Sequence, residues 1–192
     1  LLPVSLGAED ASRTVNDGNV VLDAVPEIPA RIADQLSRYQ NVRGAAFRAW
    51  TEDGSGLYLT TRFGETSQIH HVAEPGGARR QLTFFQEPIG GVDRQPGGSQ
   101  LNFTMDEGGS EFYQIFVFDP ATGGHRRLTD GASRNGGVAW SPDGGRIAYQ
   151  STRRNGRSND VWVMDVADPE SARLVLESPD GSWWGPADWS EN

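Results

Sequence analysis

The chain has 192 residues, long enough for one domain with a real core and short for two. Twenty-six acidic against seventeen basic residues give a net charge of −9, which repels phosphate backbones and anionic lipid and argues against nucleic acid and membrane surfaces as partners. The absence of cysteine excludes disulfides, thiol catalysis and thiolate metal sites, and no apolar run approaches the roughly 18 residues needed for a membrane span.

Twenty-four Gly, eleven Pro and eighteen aromatic residues point to many short strands joined by tight turns. The first eight residues, Leu1 to Ala8, read either as the tail of an export signal or as a disordered leader. Lacking a basic n-region and a full h-region, they favour the leader. Residues 1–26 read as loosely structured, with one strand at Asn19 to Leu22. Ile28, Ile32, Leu36 and Tyr39 recur at helical spacing behind Pro29, predicting a short amphipathic helix within 27–40 that packs on the first blade of the β-rich region beginning at residue 41.

From residue 41 onward a repeat organises the chain. Gln81-Leu82-Thr83, Arg127-Leu128-Thr129 and Arg173-Leu174-Val175 recur at 46 residues, then 46 again. The strands beginning at Gln68, Gln114 and Asp160 keep the same interval, and Leu57, Leu101 and Ile147 follow at 44 and 46. Trp50-Thr51-Glu52-Asp53-Gly54 returns as Trp140-Ser141-Pro142-Asp143-Gly144, and Trp189-Ser190 opens a further copy. Each copy holds four strand-like runs, with Pro, Asp and Gly closing the turns. Four antiparallel strands in 40 to 50 residues is the pattern of a propeller blade. The expected fold class is all-β: a partial β-propeller of three four-stranded blades (43–87, 88–133, 134–180), the first strand of a fourth (181–192), and a short N-terminal helix. Since closed propellers have at least four blades, the chain reads as a fragment of a larger ring, or as a part that self-associates through its open blade edges.

Strand alternation sends every second connection to the same rim. The Trp-Ser-Pro-Asp-Gly turns and the turns between third and fourth strands share a plain rim. The opposite rim collects charged, aromatic and Gly-rich loops, and function on a repeat scaffold concentrates on such a face. Its candidate substrate or interface residues are Arg62, Glu65, Glu87, Glu111, Arg134, Asn135, Arg154 and Asn155. For any one of them the alternative is a solvated loop residue pairing with its neighbours.

Catalytic signatures are missing. No G-x-S-x-G elbow occurs; Gly131-Ala132-Ser133-Arg134-Asn135 lacks the closing Gly. Adjacent His70 and His71 point to opposite sides of one strand and read as structural, and His125 reads as exposed near a plain-rim turn. Asp106, Glu107 and Glu111 lack the alternating spacing of a calcium loop. No cofactor or metal is expected. A sugar- or lactone-processing propeller with a central metal would need inward carboxylates or histidines near the axis, and no such set is evident.

At Trp140-Ser141-Pro142-Asp143-Gly144-Gly145-Arg146-Ile147-Ala148-Tyr149 the blades resemble the TolB-type, WD40-like (PD40) repeat. An ordered series narrows this: Thr61-Arg62-Phe63-Gly64-Glu65-Thr66, Pro75-Gly76-Gly77, Gln81-Leu82-Thr83-Phe84-Phe85, Glu111-Phe112-Tyr113-Gln114, Leu128-Thr129-Asp130-Gly131, Ser151-Thr152-Arg153-Arg154-Asn155-Gly156 and Asp188-Trp189-Ser190. It resembles the N-terminal propeller of bacterial prolyl oligopeptidase-family (S9) serine peptidases. That resemblance implies a non-catalytic propeller that packs on an α/β-hydrolase domain and restricts entry to short peptides, with the catalytic triad outside these residues. The alternative is a stand-alone TolB-like binding propeller of the bacterial envelope. On either reading a periplasmic or secreted location is expected over a cytoplasmic one.

Overall fold

A computed structural model describes residues 12–190, which fall into two units divided after Val42. The residues read as an export signal or leader lie outside this range. In the first unit, β1 (Arg13–Val15) and β2 (Val20–Leu22) form an antiparallel hairpin with Val15 opposite Val20. Its turn is built on Asn16 and Asp17 at φ 55° and 52°, the left-handed region these two residue types tolerate. Strand β1 is three residues without alternation, so the sequence showed only its partner. Helix α1 (Ala30–Gln40) follows Pro29, and its apolar stripe of Ile32, Leu36 and the following Tyr39 is exposed.

The second unit contains three four-stranded antiparallel sheets, each in sequential order. The first sheet is β3 (Ala45–Trp50), β4 (Leu57–Thr61), β5 (Gln68–Val72) and β6 (Arg80–Gln81). The second is β7 (Val92–Arg94), β8 (Leu101–Met105), β9 (Gln114–Phe118) and β10 (His125–Arg127). The third is β11 (Asn135–Trp140), β12 (Arg146–Ser151), β13 (Asp160–Asp165) and β14 (Arg173–Leu176). This is the partial β-propeller that the 46-residue repeat predicts. The 44-residue offset comes from the β4–β5 loop (62–67), two residues shorter than the β8–β9 (106–113) and β12–β13 (152–159) loops.

Alternation within the strands builds the joints between blades. Tyr58 and Ile69 of the first sheet pack on Val92, Leu101, Phe103 and Phe118 of the second. Ile115, Val117 and Leu128 of the second pack on Ile147, Tyr149 and Met164 of the third. Ile69, Leu101, Phe103, Ile115 and Ile147 have no exposed surface, and each such side chain contributes about 1.5–3 kcal/mol when fully buried.

Polar ties fix the same joints. Trp140 Nε1 donates to Asn102 Oδ1 of the preceding blade, and Trp189 Nε1 donates to Ala139 O of its own preceding blade. Gln95 Nε2 donates to Gly144 O at 2.8 Å. Here glycine is required twice over: φ is +68°, and a Cβ would stand 2.4 Å from Pro96 O. The plain-rim turns repeat atom for atom. Thr51 Oγ1 and Ser141 Oγ each donate to Asp53 or Asp143, and the next strand's Gly56 O or Arg146 O closes each turn.

Candidate functional site

The loops of the opposite rim are held by one device used three times. The first residue of each third strand, Gln68, Gln114 or Asp160, is buried and reaches under the loop leaving its own blade. Gln68 Nε2 donates to Phe85 O and Glu87 O, and Gln68 Oε1 accepts from Phe85 N. Gln114 Nε2 donates to Phe112 O and Ser133 O, while Gln114 Oε1 accepts from Gly131 N and Thr129 Oγ1. Asp160 Oδ1 accepts from Ser178 N. A threonine completes the first two: Thr83 Oγ1 accepts from Ile69 N, and Thr129 Oγ1 from Ile115 N. Extended loops with polar backbone are thereby satisfied without water, which fixes their course.

Above these anchors lies a cleft of about 640 Å³ between the second and third blades. Three of the sequence candidates meet in it, Glu111, Arg134 and Asn135, together with Asp93, Tyr113, Gln150 and Trp183. The Arg134 backbone is clamped by Thr152, whose Oγ1 accepts from Arg134 N at 3.0 Å and whose N–H donates to Arg134 O at 3.0 Å. Its guanidinium lies over the Phe112 ring, 5.3 Å from the centroid, and makes no ion pair among the described residues. Glu111 is the one non-glycine residue at positive φ (60°) in the second unit among the described residues. Asp106 holds it there, with Oδ2 accepting from Glu111 N at 2.9 Å. A left-handed glutamate stores on the order of 1 kcal/mol of strain, a cost that functional positions tolerate.

Apart from Asn135, whose side chain is committed to the cleft wall, the remaining candidates serve other surfaces. Glu87 lines a second cleft of about 750 Å³, where its Oε1 accepts from Gly108 N. Glu65 is exposed and lines a smaller recess with Phe84 and Gln86. Arg62 is half-buried on the β4–β5 loop. Asn135 is 5 % exposed, its amide donating to Tyr113 O and Ser133 O and its carbonyl accepting from Ser151 Oγ, so the side chain is part of the wall. Asn155 Oδ1 accepts from Arg157 N and Ser158 N, a local Asx turn. Arg154 grips Asp160 in two-pronged fashion at 2.7 and 3.1 Å and also pairs with Glu177 at 2.7 Å. That guanidinium, with help from the Ser178 N–H and against the opposing effect of burial, holds the Asp160 carboxyl below the usual range.

The histidines serve the fold. His70 is buried edge-on to Phe63 at 4.9 Å, with Nδ1 on Gln68 O and Nε2 without a partner, and burial pushes its pKa down. His71 rests against Tyr58 on the opposite side of the strand. His125 is exposed and stands edge-on to Phe85. Among the described residues no group of three or more His, Asp or Glu side chains is arranged to hold a metal, and no helix is long and apolar enough to cross a membrane. The cleft lining offers charge, hydrogen-bonding groups and aromatic surface for recognition. The Gln68, Gln114 and Asp160 anchors and the Arg134–Phe112 stack were not foreseen from sequence. The 46-residue recurrence of the anchors was the available signal.

No protein-family model matches the chain, and no curated protein matches it. Solved structures do. A TolB-type protein from Agrobacterium tumefaciens is 25 % identical over 70 % of this chain, with a TM-score of 0.57. A dipeptidyl peptidase 4 from Porphyromonas gingivalis is 14 % identical over 73 %, with a TM-score of 0.58. A puromycin hydrolase is 20 % identical over 77 %, with a TM-score of 0.55. These are the two groups that the sequence resembles, and they show the propeller fold. The chain spans 47 % of the TolB-type protein and 20 % and 24 % of the two hydrolytic enzymes.

Proposed function

We propose that this chain is the non-catalytic propeller portion of a prolyl oligopeptidase-type serine peptidase, packing on an α/β-hydrolase domain and gating the entry of short peptides. The observation that carries the reading is the cleft on the loop-rich rim, lined by both a clamped, ring-stacked Arg134 and a strained Glu111. A guanidinium and carboxylates beside Tyr113 and Trp183 suit a polypeptide, which offers carbonyls, amides and charged ends within a few ångströms. The likeness to a peptidase propeller and the ordered motifs from Thr61 to Ser190 support it further.

The reading requires a G-x-S-x-G elbow with Asp and His partners in the same reading frame, which sequencing of the complete gene tests. In that longer protein, Arg134→Ala should lower kcat/KM for short peptides about tenfold, equivalent to about 1.4 kcal/mol of lost stabilisation. Unchanged kinetics would assign the rim a structural role. The likeness to a TolB-type protein at 25 % identity favours the second reading, a stand-alone binding propeller. A reading frame without the elbow would favour that one.

A further inference from the structure

The loop leaving the first blade alternates with unusual regularity. Thr83 is anchored through its hydroxyl, Phe85 through both backbone groups, Glu87 through its carbonyl, and Ile89 through its N–H to Ser67 O. The odd-numbered residues face the blade, and the even-numbered ones between them, Phe84, Gln86 and Pro88, face outward. Phe85 fills the joint against Phe103, whereas Phe84 is 77 % exposed.

Nothing in the blade requires an aromatic residue there. The equivalent position of the second blade is Asp130, with the next residue, Gly131, bonded to Gln114 as Phe85 is bonded to Gln68. Asp130 caps its own loop through Ala132 N, Ser133 N and Ser133 Oγ. Phe84 replaces that polar cap, which also pairs with Arg153, with a large exposed apolar ring. A rigidly mounted aromatic side chain loses little conformational freedom when a partner covers it, the property of an interface anchor.

Two recesses meet along this strip, sharing Phe85 and Gln86, and Phe84 lines the first. One, of about 390 Å³, is lined by Phe84, Gln86 and Glu65; the other, of about 750 Å³, has Phe112, Phe116 and Met105 on its walls. The charged groups of the pair are Glu65, Glu87, Asp106 and Glu107 against a single Arg127. We infer that the Phe84 ridge and its two recesses form a docking surface for a polypeptide partner whose contacting face is apolar and flanked by Lys or Arg. The inference is separate from the peptide-gating cleft, which lies around Arg134 and does not share Phe84.

The test is a titration of the 15N-labelled chain with two synthetic probes, one peptide alternating Leu with Lys and one alternating Leu with Glu. The Leu/Lys probe should shift the amides of 64–66, 84–87 and 107–108, and should bind about tenfold or more tighter than the Leu/Glu probe. Phe84→Ala should weaken the Leu/Lys probe about fivefold or more while leaving Tm unchanged, since the side chain is exposed. Glu65→Lys should weaken it in the same direction. Equal binding of the two probes, shifts confined to other residues, or indifference to Phe84→Ala would overturn the inference. So would shifts of the same amides on simple concentration of the chain, which would make a second copy the occupant.

Discussion

Gln68, Gln114 and Asp160 occupy one position in three blades and do one job with two chemistries. The amides serve as donor and acceptor at once; the carboxylate accepts only, and so recruits Arg154 to balance its charge. Gln114→Ala should cost about 2–3 kcal/mol, because buried loop groups lose their partners, and chemical denaturation would measure it. Arg154→Ala should also destabilise the fold, since Asp160 has no exposed surface and would keep only the Ser178 N–H as a partner. His70 carries a pH signature. Its folded pKa lies below the ordinary 6.5, so neutral imidazole stabilises the fold above that value, and the contribution fades as pH falls toward the folded pKa. His70→Phe, the residue of the second blade at Phe116, should flatten the loss of Tm between pH 7 and pH 5. An unchanged slope would assign that loss to other groups.

At the scale of elements, the plain-rim turns are both legible in the sequence and acid-sensitive. Asp53 is held at about 2 by the Thr51 hydroxyl and then by the Ser55 N–H and hydroxyl. Asp143 is lowered by the Ser141 hydroxyl and the Gly145 N–H. Both favour the folded turn above the unfolded carboxylate value of about 3.9, and the benefit is lost as pH falls through the folded values. Acid titration followed by circular dichroism should therefore show a further weakening of the fold below about pH 4, beyond the His70 phase at higher pH. Trp140 joins neighbouring elements, and Trp140→Phe should cost about 1–3 kcal/mol by stranding Asn102 Oδ1 in a fully buried side chain.

These turns could be read from sequence because Asp, Gly and Trp act within five residues of one another. The bulge of β3, where Phe47 to Ala49 takes one extra residue, leaves no local mark, whereas that of β11 from Gly136 to Ala139 sits on a glycine pair with Gly137 at φ 56°. The anchors escaped for a related reason: each grips backbone 15 to 20 residues away, a relation that strand pairing creates and spacing alone does not show.

For the molecule as a whole, blade number and strand order followed from a period carried by many weak positions together. The cleft did not, because Arg134 gains its meaning from Phe112 and Thr152, brought alongside by the loop before β9 and the end of β12. Of the rim candidates, Asn135 is committed to a neighbouring loop and Arg154 and Asn155 largely to their own, since polar residues beside a glycine-rich loop are used first to tie it down. Amide exchange should rank the strands accordingly. Protection should be greatest in β8, β9 and β12, which carry Leu101, Phe103, Ile115 and Ile147, and least in two-residue β6. Early exchange of β8 would contradict this order.

The odd–even anchoring of residues 83–89 separates two kinds of sequence information within a single strip of chain. One register answers to the blade beneath; the other can be rewritten freely, so positions 84, 86 and 88 offer a place to install new recognition without renegotiating the architecture.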